Sequence, residues 1–219
     1  MEKQYTVLKK QLKEAHEKFQ TRPVFKVGKL NDVLLAEIIE RIRANPSLEN
    51  FILFTNCLNF FYSTRLQSAV NKDNDVVKSK NDIIINVAKK LKENSSKGLR
   101  LIAEKNGGEI NPEKVEKLRV DLKEYLNRGT YSFSTKVFHQ LNSNYPILDA
   151  NVNKFMQVNK FKKGKNFYSD KVDYATFYSA YQNMMEKIGW DKSKVNELDN
   201  AIWVLVDSNR DIYFKKRNQ

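Results

Sequence analysis

The sequence predicts an all-α protein of about ten helices, and three observations carry that expectation. Apolar residues recur at three- to four-residue spacing along nearly all of the 219 residues. Seven glycines and four prolines are too few for a β-sandwich built on many tight turns. The most strand-like run, Ile83-Ile84-Ile85, has no visible partner strand and is read as helix.

Taken in order, Leu8, Leu12, Ala15 and Phe19 give a buried stripe to a helix over 3–20. Leu30, Val33, Leu34, Ile38, Ile39 and Ile42 do the same over 30–44, and Asn45-Pro46 ends that helix. Phe51, Phe54, Leu58, Phe61 and Leu66 mark a more apolar, central core helix over 48–69, with Tyr62, Ser63, Thr64 and Arg65 near its end as candidate pocket lining. A polar loop at 71–75 precedes a helix over 78–93 built on Ile84, Val87, Ala88 and Leu91. Ser95-Ser96 breaks it, and a short helix is expected over 97–105. Asn106-Gly107-Gly108 is the clearest turn. Asn111 then caps a helix with Pro112 at its first position, buries Val115, Leu118, Leu122 and Leu126, and ends near 128 before Gly129. A short helix over 133–142, a connection over 142–146 and a helix from Asp149 follow. A basic loop over 159–169, two helices over 170–188 and 191–207, and a loose end at 215–219 complete the chain.

At this length, with 41% apolar residues, a substantial core is expected, either as one all-α domain over 1–219 or as two intimate helical lobes with an active site between them. The single Cys57 excludes an intramolecular disulfide and a cysteine-based zinc site, and reads as a buried small hydrophobe. No metal and no cofactor are expected. The N-terminal segment lacks the apolar core of a signal peptide, and no run approaches the roughly 18 apolar residues of a membrane span. A cytoplasmic, intracellular location is therefore expected, nucleoid-associated if the source is bacterial, and the chain is expected to be a monomer. Lys and Arg number 39 against 26 Asp and Glu, a net charge of +13, which favours a phosphate backbone as partner. The plainer reading of the same excess is a Lys- and Asn-rich composition that only keeps the chain in solution; acidic proteins and membrane surfaces are the other polyanions it would attract.

The stretch richest in chemistry is Asn144-Tyr-Pro-Ile-Leu-Asp-Ala-Asn-Val-Asn-Lys-Phe-Met156, where the apolar triplet Pro146-Ile147-Leu148 delivers Asp149 to a helix start. Upstream lies Ser132-Phe133-Ser134-Thr135-Lys136-Val137. Tyr145 to Val152 resembles the aspartate motif of the helix-hairpin-helix DNA glycosylases, particularly their adenine-glycosylase branch, in which a proline and two apolar residues precede the catalytic Asp. Ser132 to Val137 is similar to that family's hairpin, Gly-Val-Gly-Thr-Lys-Val in the oxoguanine branch, with serines at both glycine positions. The resemblance is confined to this region and extends weakly to Leu198-Asp199-Asn200-Ala201-Ile202-Trp203. There is no iron–sulfur cysteine set.

The resemblance implies an all-α glycosylase that binds duplex DNA, flips a base and cleaves its N-glycosidic bond. Asp149 would be the essential carboxylate. Lys136, if neutral and desolvated, would attack the sugar and form a Schiff base. Ser132, Ser134, Thr135 and Asn151 would contact DNA. Lys160, Lys162, Lys163 and Lys165, with Lys171 and the interleaved Phe161, Phe167 and Tyr168, would clamp the backbone. Tyr131, Phe133, Tyr168 and Trp190 are candidates for the aromatic wedge or platform that base flipping needs.

Each residue also has a plainer reading. Asp149 as a helix N-cap explains its position by itself. Lys136 reads equally as a solvated charge or phosphate contact. His139 lies one turn from Lys136, but between Phe138 and Leu141 it is better read as a packed residue than as a proton shuttle. The aromatics of the basic loop would serve only to anchor it. Three functions are thus open: a divergent glycosylase, a DNA-binding module of the same fold without chemistry, and a helical protein-interaction domain.

Overall fold

The computed structural model describes residues 2–21, 23–62, 66, 69–70, 76–96, 100–123, 125–126, 130–161, 167 and 172–214. Among them the protein is all-helical, with ten α-helices, one 3-10 turn and one short antiparallel ribbon. The chain divides into two compact units: residues 1–27 with 143–219, and residues 28–142. The first unit is therefore built from two segments far apart in sequence.

In the first unit, α1 (Glu2–Thr21) packs against α9 (Val195–Ser208) and also meets α8 (Tyr174–Ile188), while α9 packs against α7 (Ala150–Val158). A short α10 (Arg210–Phe214), not expected from the sequence, folds onto α7 and α9. Leu8, Leu12 and Ala15 of α1 are buried, as their spacing predicts. Tyr174, Phe177 and Tyr181 form a fully buried aromatic row along α8, their successive ring centroids 5.5 and 5.8 Å apart. Asp173 caps this helix by accepting the Thr176 amide at 2.7 Å, so it starts four residues later than its apolar pattern suggests. Gly189 ends it in the left-handed region (φ 62°), and the Trp190 amide reaches back to the Met185 carbonyl at 2.8 Å. The turn at Asp191–Lys194 delays α9 in the same way, because Asp191 takes the Ser193 amide and hydroxyl.

The second unit holds most of α2 (Pro23–Ala44), then α3 (Leu48–Tyr62), the ribbon β1 (Ala69–Val70) with β2 (Val76–Lys78), α4 (Lys80–Ser96), a 3-10 turn (Leu101–Ala103), α5 (Pro112–Leu122) and α6 (Thr130–Leu141). Ile83 and Ile84 are buried in α4, as the helical reading requires. Helix α3 is described as far as Tyr62, Leu66 is not helical, and Ala69 and Val70 pair with Val76–Lys78 instead of extending the helix. β-branched Val70, Val76 and Val77 suit a ribbon, and that pairing overrides the apolar spacing that predicts helix as far as 69. The helix expected over 97–105 is only the 3-10 turn, entered through Arg100 at φ 49°. Asn111 caps α5 as predicted, its side chain accepting the amides of Glu113 and Lys114. That helix closes at Leu122, where the Tyr125 and Leu126 amides both turn back to the Leu122 carbonyl. The 71–75 loop, Gly129 and the 215–219 end lie outside the described residues.

The central helix of this unit is α6 rather than α3. Helix α3 buries one face (Phe51, Phe54, Leu58) and exposes Leu53 and Phe60. Helix α6 packs on α3, α5 and the 3-10 turn, and it buries Tyr131, all of Phe133–His139 and Leu141.

Candidate functional site

Asp149 is the N-cap of α7. Its backbone is extended (φ −122°, ψ −178°), and Oδ1 accepts the Val152 amide at 3.0 Å. The carbonyl of Asp149 accepts the Asn153 amide, also at 3.0 Å. The plain capping role is therefore real, and it uses one carboxylate oxygen. Oδ2 has no protein hydrogen bond among the described residues, and the side chain is half-exposed. Asn151, in the first turn of α7, is also half-buried.

Behind Asp149 the strut Pro146–Leu148 is fixed from α8 and α9. The Tyr174 hydroxyl donates to the Pro146 carbonyl at 2.8 Å. The Ile147 amide donates to Asp199 Oδ2 at 3.0 Å, and the Tyr181 hydroxyl donates to Asp199 Oδ1 at 2.7 Å. Tyr145, Tyr174 and Tyr181 are wholly buried, and Asp199 nearly so. Burial pushes the Asp199 carboxyl up to about 8, against its two hydrogen bonds, and the nearby charge of Asp149 pushes it the same way. Burial beside Asp199 also lifts the Tyr174 and Tyr181 hydroxyls well above the ordinary tyrosine value. The sequence pattern placed Asp199 only within a motif. The available signal was an acid flanked by Leu198, Ala201 and Ile202 on the apolar stripe of an amphipathic helix, a local conflict that a functional or structural contact must resolve.

The other predicted residues fall elsewhere. Lys136 belongs to the second unit and is buried in α6, whereas Asp149 belongs to the first. The segment expected as a hairpin, Ser132–Val137, is helix: with serines at both glycine positions nothing interrupts α6 there. Ser134 and Thr135 are fully buried, and the Thr135 hydroxyl bonds back to the Tyr131 carbonyl at 2.9 Å. Those side chains face protein, so they do not offer the DNA contacts expected of a hairpin. Ser132 is half-buried. The expected wedge aromatics Tyr131 and Phe133 are core residues, and the Arg119 guanidinium lies 4.5 Å above the Tyr131 ring. His139 is buried, in keeping with a packed histidine.

Trp190 is buried on one side of a cleft of about 320 Å³ between α1 and the α8–α9 turn, and its indole donates to the Lys194 carbonyl at 3.3 Å. Lys9, Lys13 and Lys194 line that cleft together with His16, Glu17, Asp191 and Glu197, so its basic side chains are matched by acidic ones. Lys160 is exposed just beyond α7 with φ 56°. Phe161 stacks between Tyr5 and Phe155 at 5.6 and 6.2 Å, and Phe167 sits edge-on to Phe177 at 5.4 Å, so both described loop aromatics are anchors. Lys162, Lys163, Lys165, Tyr168 and Lys171, and Ser63, Thr64 and Arg65, lie outside the described residues.

Among the described residues no group of three or more His, Cys, Asp or Glu is arranged to hold a metal ion, and no helix is long and apolar enough to cross a membrane. Fold and site together define a two-unit, all-helical protein with a partly exposed carboxylate braced by a buried one. No protein-family model, characterised protein or solved structure matches the chain.

Proposed function

We propose that this chain is a DNA-binding, base-excision glycosylase-like enzyme in which Asp149 is the essential carboxylate. The observation that carries the reading is the division of labour within that side chain. One oxygen is spent on the Val152 amide, and the other is without a protein partner among the described residues. It stands at the end of a strut held by two hydrogen bonds. A carboxylate so placed can face a sugar that becomes cationic as its C1′–N bond breaks. The electron pair of that bond leaves with the base, which takes up a proton. Water adds to C1′ and gives its proton to the carboxylate. The net charge of +13 supports a polyanionic substrate, and the resemblance at 145–152 supports this chemistry.

The test is release of free base, read by mass spectrometry, from pooled duplexes carrying damaged, mismatched and hypermodified bases. Release that disappears in Asp149→Asn supports the reading; unchanged release in that variant refutes it. A Schiff base through Lys136 is tested separately by borohydride trapping on the same duplexes.

A second reading is favoured by α6. The hairpin serines lie in a helix, and Ser134, Thr135 and Lys136 are buried, as expected of a DNA-binding module without the family's chemistry. In that case no base is released, while neutralising Lys162, Lys163 and Lys165 weakens binding and flattens its salt dependence.

A further inference from the structure

We propose that Asp199 is the positioning residue for Asp149, a buried acid that sets the strut on which the exposed acid stands and ties its placement to pH. The catalytic consequence of this inference rests on the glycosylase reading; the structural link does not.

Three observations converge on Asp199. Each of its oxygens has a donor, Ile147 of the strut on one side and Tyr181 of α8 on the other. Tyr174, two turns before Tyr181, holds the Pro146 carbonyl, so one face of α8 and one residue of α9 grip the two sides of a single peptide group, Pro146–Ile147. Lastly, Asp199 is buried near a second carboxylate, and burial together with that charge outweighs its two hydrogen bonds in disfavouring the charged form. A capping bond to Val152 orients the Asp149 side chain, and the strut leads the chain into the first turn of α7.

The groups that face Asp199 from the packed elements can be named. Helix α8 brings Tyr181 and Tyr174, Tyr145 acts on Tyr174, and the end of the strut brings Asp149. Helix α1 meets α9 near its first turn with Lys9, Lys13, His16 and Glu17, which share their cleft with Lys194 and Glu197. Helix α10 brings Arg210 to Asp207 at the far end of α9. Of these charges, Asp149 is the one that shifts Asp199. When Asp199 ionises, the buried charge is relieved by loosening the strut and admitting water, which moves Asp149.

The deciding experiment is a pH titration of the backbone amides by NMR in the full chain. In the native protein, the Ile147 amide shows an inflection near pH 8 and exchanges faster above it; in Asp199→Asn the inflection is absent. An Ile147 amide that does not titrate, or that titrates identically in the variant, overturns the proposal. The kinetic arm uses base release. Asp199→Ala lowers kcat about 10²-fold, the scale expected of a displaced catalytic group, with KM unchanged. Asp199→Asn, which keeps a carbonyl acceptor for Ile147, recovers part of that loss and abolishes the decline in rate above pH 8. Equal losses in kcat and KM, or no recovery by Asn, overturn the positioning role. Should the native protein release no base, the glycosylase reading fails, and the amide titration still decides this one.

Discussion

Helix α6 and the Pro146–Asp149 strut hold the two segments whose sequences resemble a glycosylase hairpin and aspartate motif, yet the structure uses their polar residues in opposite ways. In α6 the polar side chains are drawn into the core of the second unit: Ser134, Thr135, Lys136 and His139 are buried along with Phe133 and Phe138. In the strut the polar groups fix a loop in place: Tyr174 and Asp199 satisfy the Pro146 carbonyl and the Ile147 amide, Tyr181 holds Asp199, and Asp149 remains partly exposed with one oxygen uncommitted. A motif of the right residue types is therefore only a candidate for chemistry. Burial separates a polar residue that stabilises the fold from one that can reach a substrate.

The largest effect that can break this comparison is in α6. Phe133→Ala should destabilise the protein by about 3–5 kcal/mol in urea unfolding, because the ring is fully buried. A base-stacking role instead predicts a small stability change and a large loss of DNA affinity. Next, Asp149→Asn should lower base release about 10³-fold, on the scale of removing a transition-state charge partner. Its stability should fall by at most about 1 kcal/mol, since Asn also caps well. Tyr181→Phe should cost about 1–3 kcal/mol by leaving a buried carboxyl oxygen of Asp199 without its donor.

Asp199 also makes stability depend on pH. Its carboxyl holds a proton in the folded state far above the ordinary value of 3.8, so its contribution is full below about pH 4 and is lost as the pH rises to about 8. Asp173, held low by the Thr176 hydroxyl and amide, works in the opposite sense and at lower pH, its contribution being lost only on acidification. Urea midpoints should therefore decline from pH 4 to 8 in the native protein and decline less in Asp199→Asn.

The smallest effects sharpen the contrast. Ser134→Ala should be neutral or stabilising by up to about 1 kcal/mol, because its buried hydroxyl has no hydrogen-bond partner among the described residues and Ala is the better helix former. Lys160→Gly should stabilise by about 0.5–1 kcal/mol, since Lys160 holds the left-handed position after α7 that suits glycine. Loss of DNA binding in Ser134→Ala would return α6 to the list of contact surfaces.

Much of the helical order was legible because it rests on local periodicity. The stripes of α1, α4 and α5 are buried where the spacing put them, and Asn111 caps as its sequence context requires. The ends of α3 and α5, the ribbon and α10 were not legible, because each depends on which neighbours are close enough to replace a helical hydrogen bond. Asp149 could be singled out as the first acid after an apolar triplet ahead of a helix. Asp199 could not be assigned a task, since its partner Ile147 lies 52 positions away in the chain. The burial of α6 was hidden for a related reason: Ser and Lys carry no core signal, and only the packing of α3 and α5 around that helix puts them inside.

The segmented first unit has a consequence for how the protein is made. During synthesis α1 leaves the ribosome ahead of the entire second unit, and its partner α9 is translated only after residue 194. Until then the buried stripe of Leu8, Leu12 and Ala15 has no α9 to cover it, whereas every helix of residues 28–142 meets its neighbours within one continuous stretch. Closing so long a loop is slow, so the first unit should be the late-folding half of the nascent chain, with α1 the surface on which a chaperone acts.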